Sequence, residues 1–301
     1  MNGLKNKSAR RILVTGATGF IGKQVCRVLG ERGLDVVALG RSSPSTDKPW
    51  SLDATIEENV ILLKEIDAVV HLAAYLPQKY EDLDQALPCY LANSLGTLNL
   101  LRASEQAGVS HFVFASTCAI YAPAFGETNE KSATIPERAA PYLASKLAAE
   151  AYVAAGNFIT KMVTTTLRLA SVYGPGMPNS GLLPACVNQL KTHGHFTVSD
   201  GNRYRTDLVH VNDVIESIYS ALTHSVRGTF NIASGLSISP YEVATTVAQI
   251  LGIPFAAITI APVTEHPVPC YGSLNIDKAR SYLGYNPISF EDGVASYIDS
   301  L

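Results

Sequence analysis

The chain has 301 residues, 47% of them hydrophobic and 16% charged, a balance that excludes a disordered protein and supports one large domain or two unequal lobes. A net charge of −3 gives no field to gather nucleic acid, and no apolar run is long enough to span a bilayer, so a small-molecule substrate is expected, with no nucleic acid and no membrane partner. Cys26, Cys89, Cys118, Cys186 and Cys270 are scattered and odd in number, without a C-x-x-C pair; they suggest neither disulfides nor a metal site and fit a reducing cytoplasm.

Lys5, Lys7, Arg10 and Arg11 read as a solvated basic arm that runs into a β-rich segment, residues 11–15. Gly16, Gly19, Phe20, Ile21 and Gly22 follow, and then residues 23–32 with Val25, Val28 and Leu29 at helical spacing. Strand, glycine turn and helix in this order suit a dinucleotide. The glycines permit a tight turn and let backbone amides approach a pyrophosphate at the positive end of the helix.

Residues 35–40 read as the second strand, whose end normally carries an acid for the adenosine ribose of NAD. Here that place is Gly40, followed by Arg41, Ser42 and Ser43. Loss of the carboxylate removes repulsion against a 2′-phosphate, and a cation with two hydroxyls supplies its donors, so NADP(H) is favoured while NAD(H) stays open. Asp53, next to Ala54, reads as an acceptor for the adenine amino group or equally as a helix cap. Residues 67–74 read as a buried strand in which His71 is packed and Leu72, Ala73 and Ala74 admit the cofactor, with Tyr75 next to them on the substrate side.

Residues 90–106 carry Asn93, Leu95, Leu98, Leu101 and Ala103 on a helix, and the strand at 111–116 leads into Ser116 and Thr117. Hydroxyls at the carboxyl end of a central strand lie at the ligand crevice of an open α/β sheet. There they can share a proton with a phenol. Tyr142 and Lys146, four apart in an Ala/Leu-rich helix, share one face. A free phenol titrates near ~10 and an adjacent ammonium favours phenolate, so this pair is a candidate acid/base.

In the second half, residues 164–170 read as a strand and residues 171–176, ending in Gly174, Pro175 and Gly176, as an exit loop. A helix at 182–191 precedes a strand and loop carrying Arg203 and Arg205, candidates for a diphosphate clamp. Residues 229–233 return to the main sheet, and Ser239 with Pro240 marks a helix start.

Taken together, Gly16/Gly19/Gly22, His71 to Ala74, Asn93 ahead of Gly96, Ser116-Thr117 ahead of Tyr121, Tyr142/Lys146, and Arg168 ahead of Val172 to Pro175 resemble the extended short-chain dehydrogenase/reductases. This is the NAD-dependent epimerase/dehydratase family, which acts mainly on nucleotide sugars. The resemblance implies an α/β fold, a Rossmann-type doubly wound parallel sheet (1–175 plus 207–235) with a smaller C-terminal substrate lobe (176–206 plus 236–301). It also implies that Tyr142 is the general acid/base, that Lys146 lowers its pKa and holds the nicotinamide ribose, and that Thr117 orients the substrate oxygen. Asn93 and Val172 fall on the cofactor side, Cys118, Ser171 and Asn179 on the substrate side. A homodimer through the helices around 93–106 and 141–155 is implied as well.

Two departures shape the expected function. Ser171 stands where many nucleotide-sugar members carry asparagine, and Cys118-Ala119 stands where family dehydratases carry an Asp-Glu pair, which disfavours a 4,6-dehydratase. The expectation is an NADPH-dependent reductase of a 4-keto nucleotide (deoxy)sugar. A 4-epimerase with retained cofactor is the alternative, followed by a reductase of a non-nucleotide ketone or an NADPH-sensing regulator.

Overall fold

The computed structural model describes residues 10–40, 48–49, 54–79, 82–122, 126–134, 140–263 and 272–301. Arg41, Ser42, Ser43 and Asp53, on which the cofactor expectation partly rests, lie outside the described residues.

In chain order the first elements are β1 (Arg11–Thr15), α1 (Phe20–Glu31), β2 (Asp35–Gly40), β3 (Lys48–Pro49), α2 (Ile56–Leu62) and β4 (Ala68–His71). Then come α3 (Ala86–Cys89), a π turn (Tyr90–Leu95), α4 (Gly96–Gln106), β5 (His111–Thr117), α5 (Pro141–Ile159) and β6 (Val163–Leu169). The rest comprises β7 (Ser171–Tyr173), α6 (Leu182–His193), β8 (Phe196–Val198), β9 (Leu208–His210), α7 (Val211–His224) and β10 (Gly228–Ile232). α8 (Pro240–Leu251), β11 (Ile258–Ile260), α9 (Asp277–Leu283) and α10 (Phe290–Asp299) complete it.

The main sheet runs in the order β3-β2-β1-β4-β5-β6-β10. Its pairings from β3 through β5 are parallel, with Val14 opposite Ala38 on one side and Val70 on the other. Parallel strands buried on both faces need continuous apolar runs, and Ile12, Leu13, Val14, Val69 and Phe112 are fully buried. The order reverses between β1 and β4. That reversal is the switch point where open sheets take their ligands.

The chain divides into two compact units, Met1–Ser116 with Ala139–Leu167 and Ile218–Thr229, and Thr117–Arg138 with Arg168–Ser217 and Phe230–Leu301. Boundaries drawn from the sequence fall at 175, 207 and 235, and the two compact units divide the chain within β5, β6, α7 and β10. The first unit's core joins Leu39, Phe114, Leu100 and Val153, and the second's joins Val187, Phe196, Val243 and Val294.

Local signals account for several helix starts. Thr55 and Glu58 cap α2 reciprocally, and Ser239 and Glu242 do the same for α8, where Pro240 takes the first turn as read from the sequence. One expected loop begins as a strand. Ser171 donates its amide to the Asp207 carbonyl at 3.2 Å, so residues 171–173 form β7 beside β9. Among the described residues no helix is long and apolar enough to cross a membrane.

Candidate active site

The glycine turn after β1 is built around backbone proximity. A Cβ on Gly16, whose φ is +70°, would meet the Ala73 nitrogen at 2.8 Å and the Leu72 carbonyl carbon at 2.9 Å. On Gly22 it would lie 2.1 Å from the Gly16 oxygen. Gly19 caps α1 without a side-chain bond, and the first turn, which includes Phe20 and Ile21, holds no acid. The helix start therefore carries no carboxylate of its own, which suits a pyrophosphate. Gly40 ends β2 buried, with no carboxylate at that place. Ala54 is half-buried, and its carbonyl accepts from Asn59 and Asn99.

Tyr142 lies half-buried in the first turn of α5, and Lys146 is buried one turn later. Lys146 Nζ donates to the Ala115 carbonyl at 2.6 Å and stands 4.2 Å from the centre of the Phe114 ring. Burial pushes its pKa down to about 7, opposed by the charge of Glu150. A destabilised ammonium held beside a phenol's turn is the environment in which proton exchange near neutrality is tuned. Ser116, the residue after Ala115, is buried with its hydroxyl unpartnered among the described residues. This orphaned donor, the glycine cradle and the open start of α1 together fit a nicotinamide dinucleotide.

The turn that carries Tyr142 is tied down by Asn93. Its amide accepts from Tyr75 N at 2.7 Å and donates to Tyr75 O and to Ser145 Oγ at 3.0 Å, and Ser145 Oγ donates to the Tyr142 carbonyl at 2.7 Å. Asn93 sits in the π turn, a form of helix that frequently marks functional sites. The Tyr75 hydroxyl donates to Gln85. His71 was expected as a packed strand residue, and it is fully buried; it also bridges Thr15 and Thr97, 2.7 Å from one hydroxyl and 2.9 Å from the other. Thr15 and Ser145 were given no role from the sequence, and Thr97 entered only as part of the Gly96-Thr97 pair after Asn93. Its place four residues after Asn93, one helical turn on, could have signalled the contact.

The second unit contains a cavity of about 350 Å³ lined by Thr117, Cys118, Ala119, Ser171, Thr206 and Asp207 among others. Thr117 Oγ1 accepts from Ala119 N at 3.1 Å, and the Cys118 thiol donates to the Arg168 carbonyl at 3.1 Å. Asp207 accepts from Ser234 N, Ser234 Oγ and Gly235 N at 2.7 to 2.9 Å; burial still pushes its pKa up to about 6. The Arg205 guanidinium is engaged by Ser237 and Glu242, while Arg203 and Asn179 are exposed and Val172 is half-buried opposite Val209 in β9. Tyr204, Thr206 and Asp207, which sequence reading did not select, line the cavity.

Comparison with known proteins gives this arrangement a lineage. Residues 12–233 match the model of the NAD dependent epimerase/dehydratase family. A UDP-glucose 4-epimerase of Mycolicibacterium smegmatis is 31% identical over 317 residues, covering 96% of this chain and 97% of that one. A 4-hydroxy-2-methyl-3-oxo-4-farnesyl-3,4-dihydroquinoline-1-oxide ketoreductase of Stigmatella aurantiaca is 28% identical, covering 91% of each. Among solved structures, MoeE5 is similar in its complex with UDP-glucose and NAD (29% identity, TM-score 0.79) and in its complex with UDP-glucuronic acid and NAD (30% identity, TM-score 0.80); each covers 96% of this chain and 98% of that chain. With its doubly wound sheet, its glycine cradle and the match over residues 12–233, the chain belongs to the NAD dependent epimerase/dehydratase family.

Proposed function

We propose that the chain catalyses reversible hydride transfer at a secondary hydroxyl carbon of a nucleotide-activated sugar, as a 4-epimerase, with Thr117, Tyr142 and Lys146 as its catalytic residues. The observation that carries this reading is the buried Lys146 ammonium, fixed on the Ala115 carbonyl one turn after Tyr142. A bound nicotinamide dinucleotide would supply the hydride acceptor and donor. It would rest on the backbone of residues 16–22 and 72–74, with Asn93, Ser116 and Lys146 on its nicotinamide side. Tyr142 takes the proton from the substrate hydroxyl and returns it, Lys146 stabilises the phenolate, and Thr117 orients the reacting oxygen. Solved neighbours that hold NAD together with a UDP-sugar support both the cofactor class and the substrate class.

A second reading, an NADPH-dependent reductase of a 4-keto nucleotide sugar, is favoured by Gly40, where a carboxylate would otherwise select NAD. Both readings use the same three residues. Exposed Leu83 in the 3₁₀ turn before α3, Leu87 on α3, Tyr90 and Leu91 in the π turn and Tyr152 on α5 support a second copy of the chain as partner.

The test is to incubate the protein with UDP- and dTDP-linked sugars, and with their 4-keto-6-deoxy forms, in the presence of NAD(H) or NADP(H). Product isomers with no net change in nicotinamide absorbance are expected from an epimerase. Stoichiometric NADPH loss with the keto sugars would select the reductase, and silence across the panel would sink the nucleotide-sugar reading.

A further inference from the structure

The fold admits sugars of opposite character, since MoeE5 has been solved with UDP-glucose and with UDP-glucuronic acid. A uronate carries a carboxylate where glucose carries a hydroxymethyl group. Which of the two a pocket accepts depends on whether its wall supplies a counter-charge, because an unpaired charge removed from water is expensive.

The cavity of the second unit has an apolar side formed by Ala119, Leu169, Ala170 and Leu274. Its hydroxyls come from Thr117, Tyr121, Thr128, Ser171, Tyr204 and Thr206, and that of Tyr121 is bonded to Asn231 at 2.6 Å and to the Arg168 guanidinium at 2.8 Å. Among the described residues that line it none is a lysine, arginine or histidine, and the charged one is Asp207, a carboxylate. Two donors nearby are already engaged. The Cys118 thiol is turned onto the Arg168 carbonyl, and the Ala119 amide onto the Thr117 hydroxyl. Arg205, a cation one residue before Thr206, is held by Glu242 at 3.1 Å and by Ser237 instead of lining the cavity. Hydroxyls hydrogen-bond neutral and charged oxygens alike, but they neutralise neither, and Asp207 repels a second carboxylate.

We infer that this cavity takes an uncharged sugar ring, hydroxylated or deoxygenated at its outer carbon, and rejects the corresponding uronate. The inference rests on the nucleotide-sugar reading above and specifies the substrate class within it. A cation introduced into the wall should weaken the rejection. Ser171 is the place for one, because its side chain lines the cavity yet is exposed, so a longer residue there does not disturb the core.

The experiment compares kcat/KM for glucose and glucuronate linked to the same nucleotide, UDP and dTDP in turn, on the wild-type protein and on Ser171→Lys. The wild type should favour the neutral sugar by about 30-fold or more, the effect of one uncompensated buried charge. Ser171→Lys should raise kcat/KM for the uronate by about fivefold or more. Equal turnover of both sugars by the wild type, or preference for the uronate, would overturn the inference while leaving the nucleotide-sugar reading standing. A wild-type preference with no uronate gain in Ser171→Lys would overturn its electrostatic basis, and inactivity on every nucleotide sugar would overturn the reading and the inference together.

Discussion

Thr97 accepts a hydrogen bond from His71 at 2.9 Å while giving its own proton to the Asn93 carbonyl at 2.6 Å. A hydroxyl has one proton, so the network assigns the imidazole proton to Nε2 and leaves Nδ1 to accept from Thr15. Thr15 in turn accepts from Ala73 N at 3.3 Å. A directed chain of hydrogen bonds thus runs from the backbone beside the glycine cradle, through β4, to the π turn whose Asn93 braces the turn of Tyr142.

Replacing His71 by Phe leaves Thr15 and Thr97 without their buried partner. The variant should lose about 1–3 kcal/mol of stability, read by urea denaturation. Turnover should fall more than dinucleotide affinity. An unchanged unfolding midpoint would contradict the bridging role.

The same histidine shapes acid stability. Burial, reinforced by the Lys146 charge, depresses its pKa to about 3 from 6.5, so between those values the unfolded chain binds more protons than the folded one. Stability therefore rises with pH across that window and is lost as pH falls through it. His111, lowered to about 4 chiefly by burial, acts in the same direction. Chemical denaturation at pH values from about 7 down to 4 should show this loss, with a shallower slope in His71→Phe.

Tyr142→Phe removes only the phenolic proton. Turnover should drop by about 10²–10⁴-fold, while dinucleotide affinity, followed by fluorescence titration, stays within about twofold. Full activity in this variant would sink the proposed mechanism.

Lys146→Met should abolish activity without lowering the melting temperature at neutral pH, because the removed ammonium is destabilised by burial in the folded chain. A large fall in melting temperature would show that its bond to Ala115 outweighs that burial.

Two glycines of α1 make an internal control. Gly22→Ala places a methyl 2.1 Å from the Gly16 oxygen and should cost about 1–3 kcal/mol and weaken dinucleotide binding. Gly30→Ala meets nothing within 4 Å and should be neutral or stabilising by up to about 1 kcal/mol. Thermal melts with and without dinucleotide distinguish the two.

What the sequence made legible is what depends on neighbours along the chain. β1, the glycine turn and α1 follow from periodicity and residue type, as does the start of α8 at Ser239-Pro240. β7 was read as loop because its three residues become a strand only through pairing with β9, some thirty-seven positions later, Ser171 opposite Leu208. The fate of Arg205 was equally hidden. Its partner Glu242 lies thirty-seven residues downstream, and no local pattern announces the ion pair. The cavity wall draws on residues near 117–128, 169–171, 204–207 and 272–274, a grouping that exists only after folding.

The π turn at Tyr90–Leu95 has a consequence for how this gene can change. One residue lost from that turn would restore α-helical winding and rotate everything on one side of it by about 100° relative to the other. Asn93 would then leave Ser145, and Thr97 would leave His71, although every residue of the site was still encoded. Point substitutions that leave the winding of this helix intact should therefore be tolerated more readily among descendants of the chain than any change in its length.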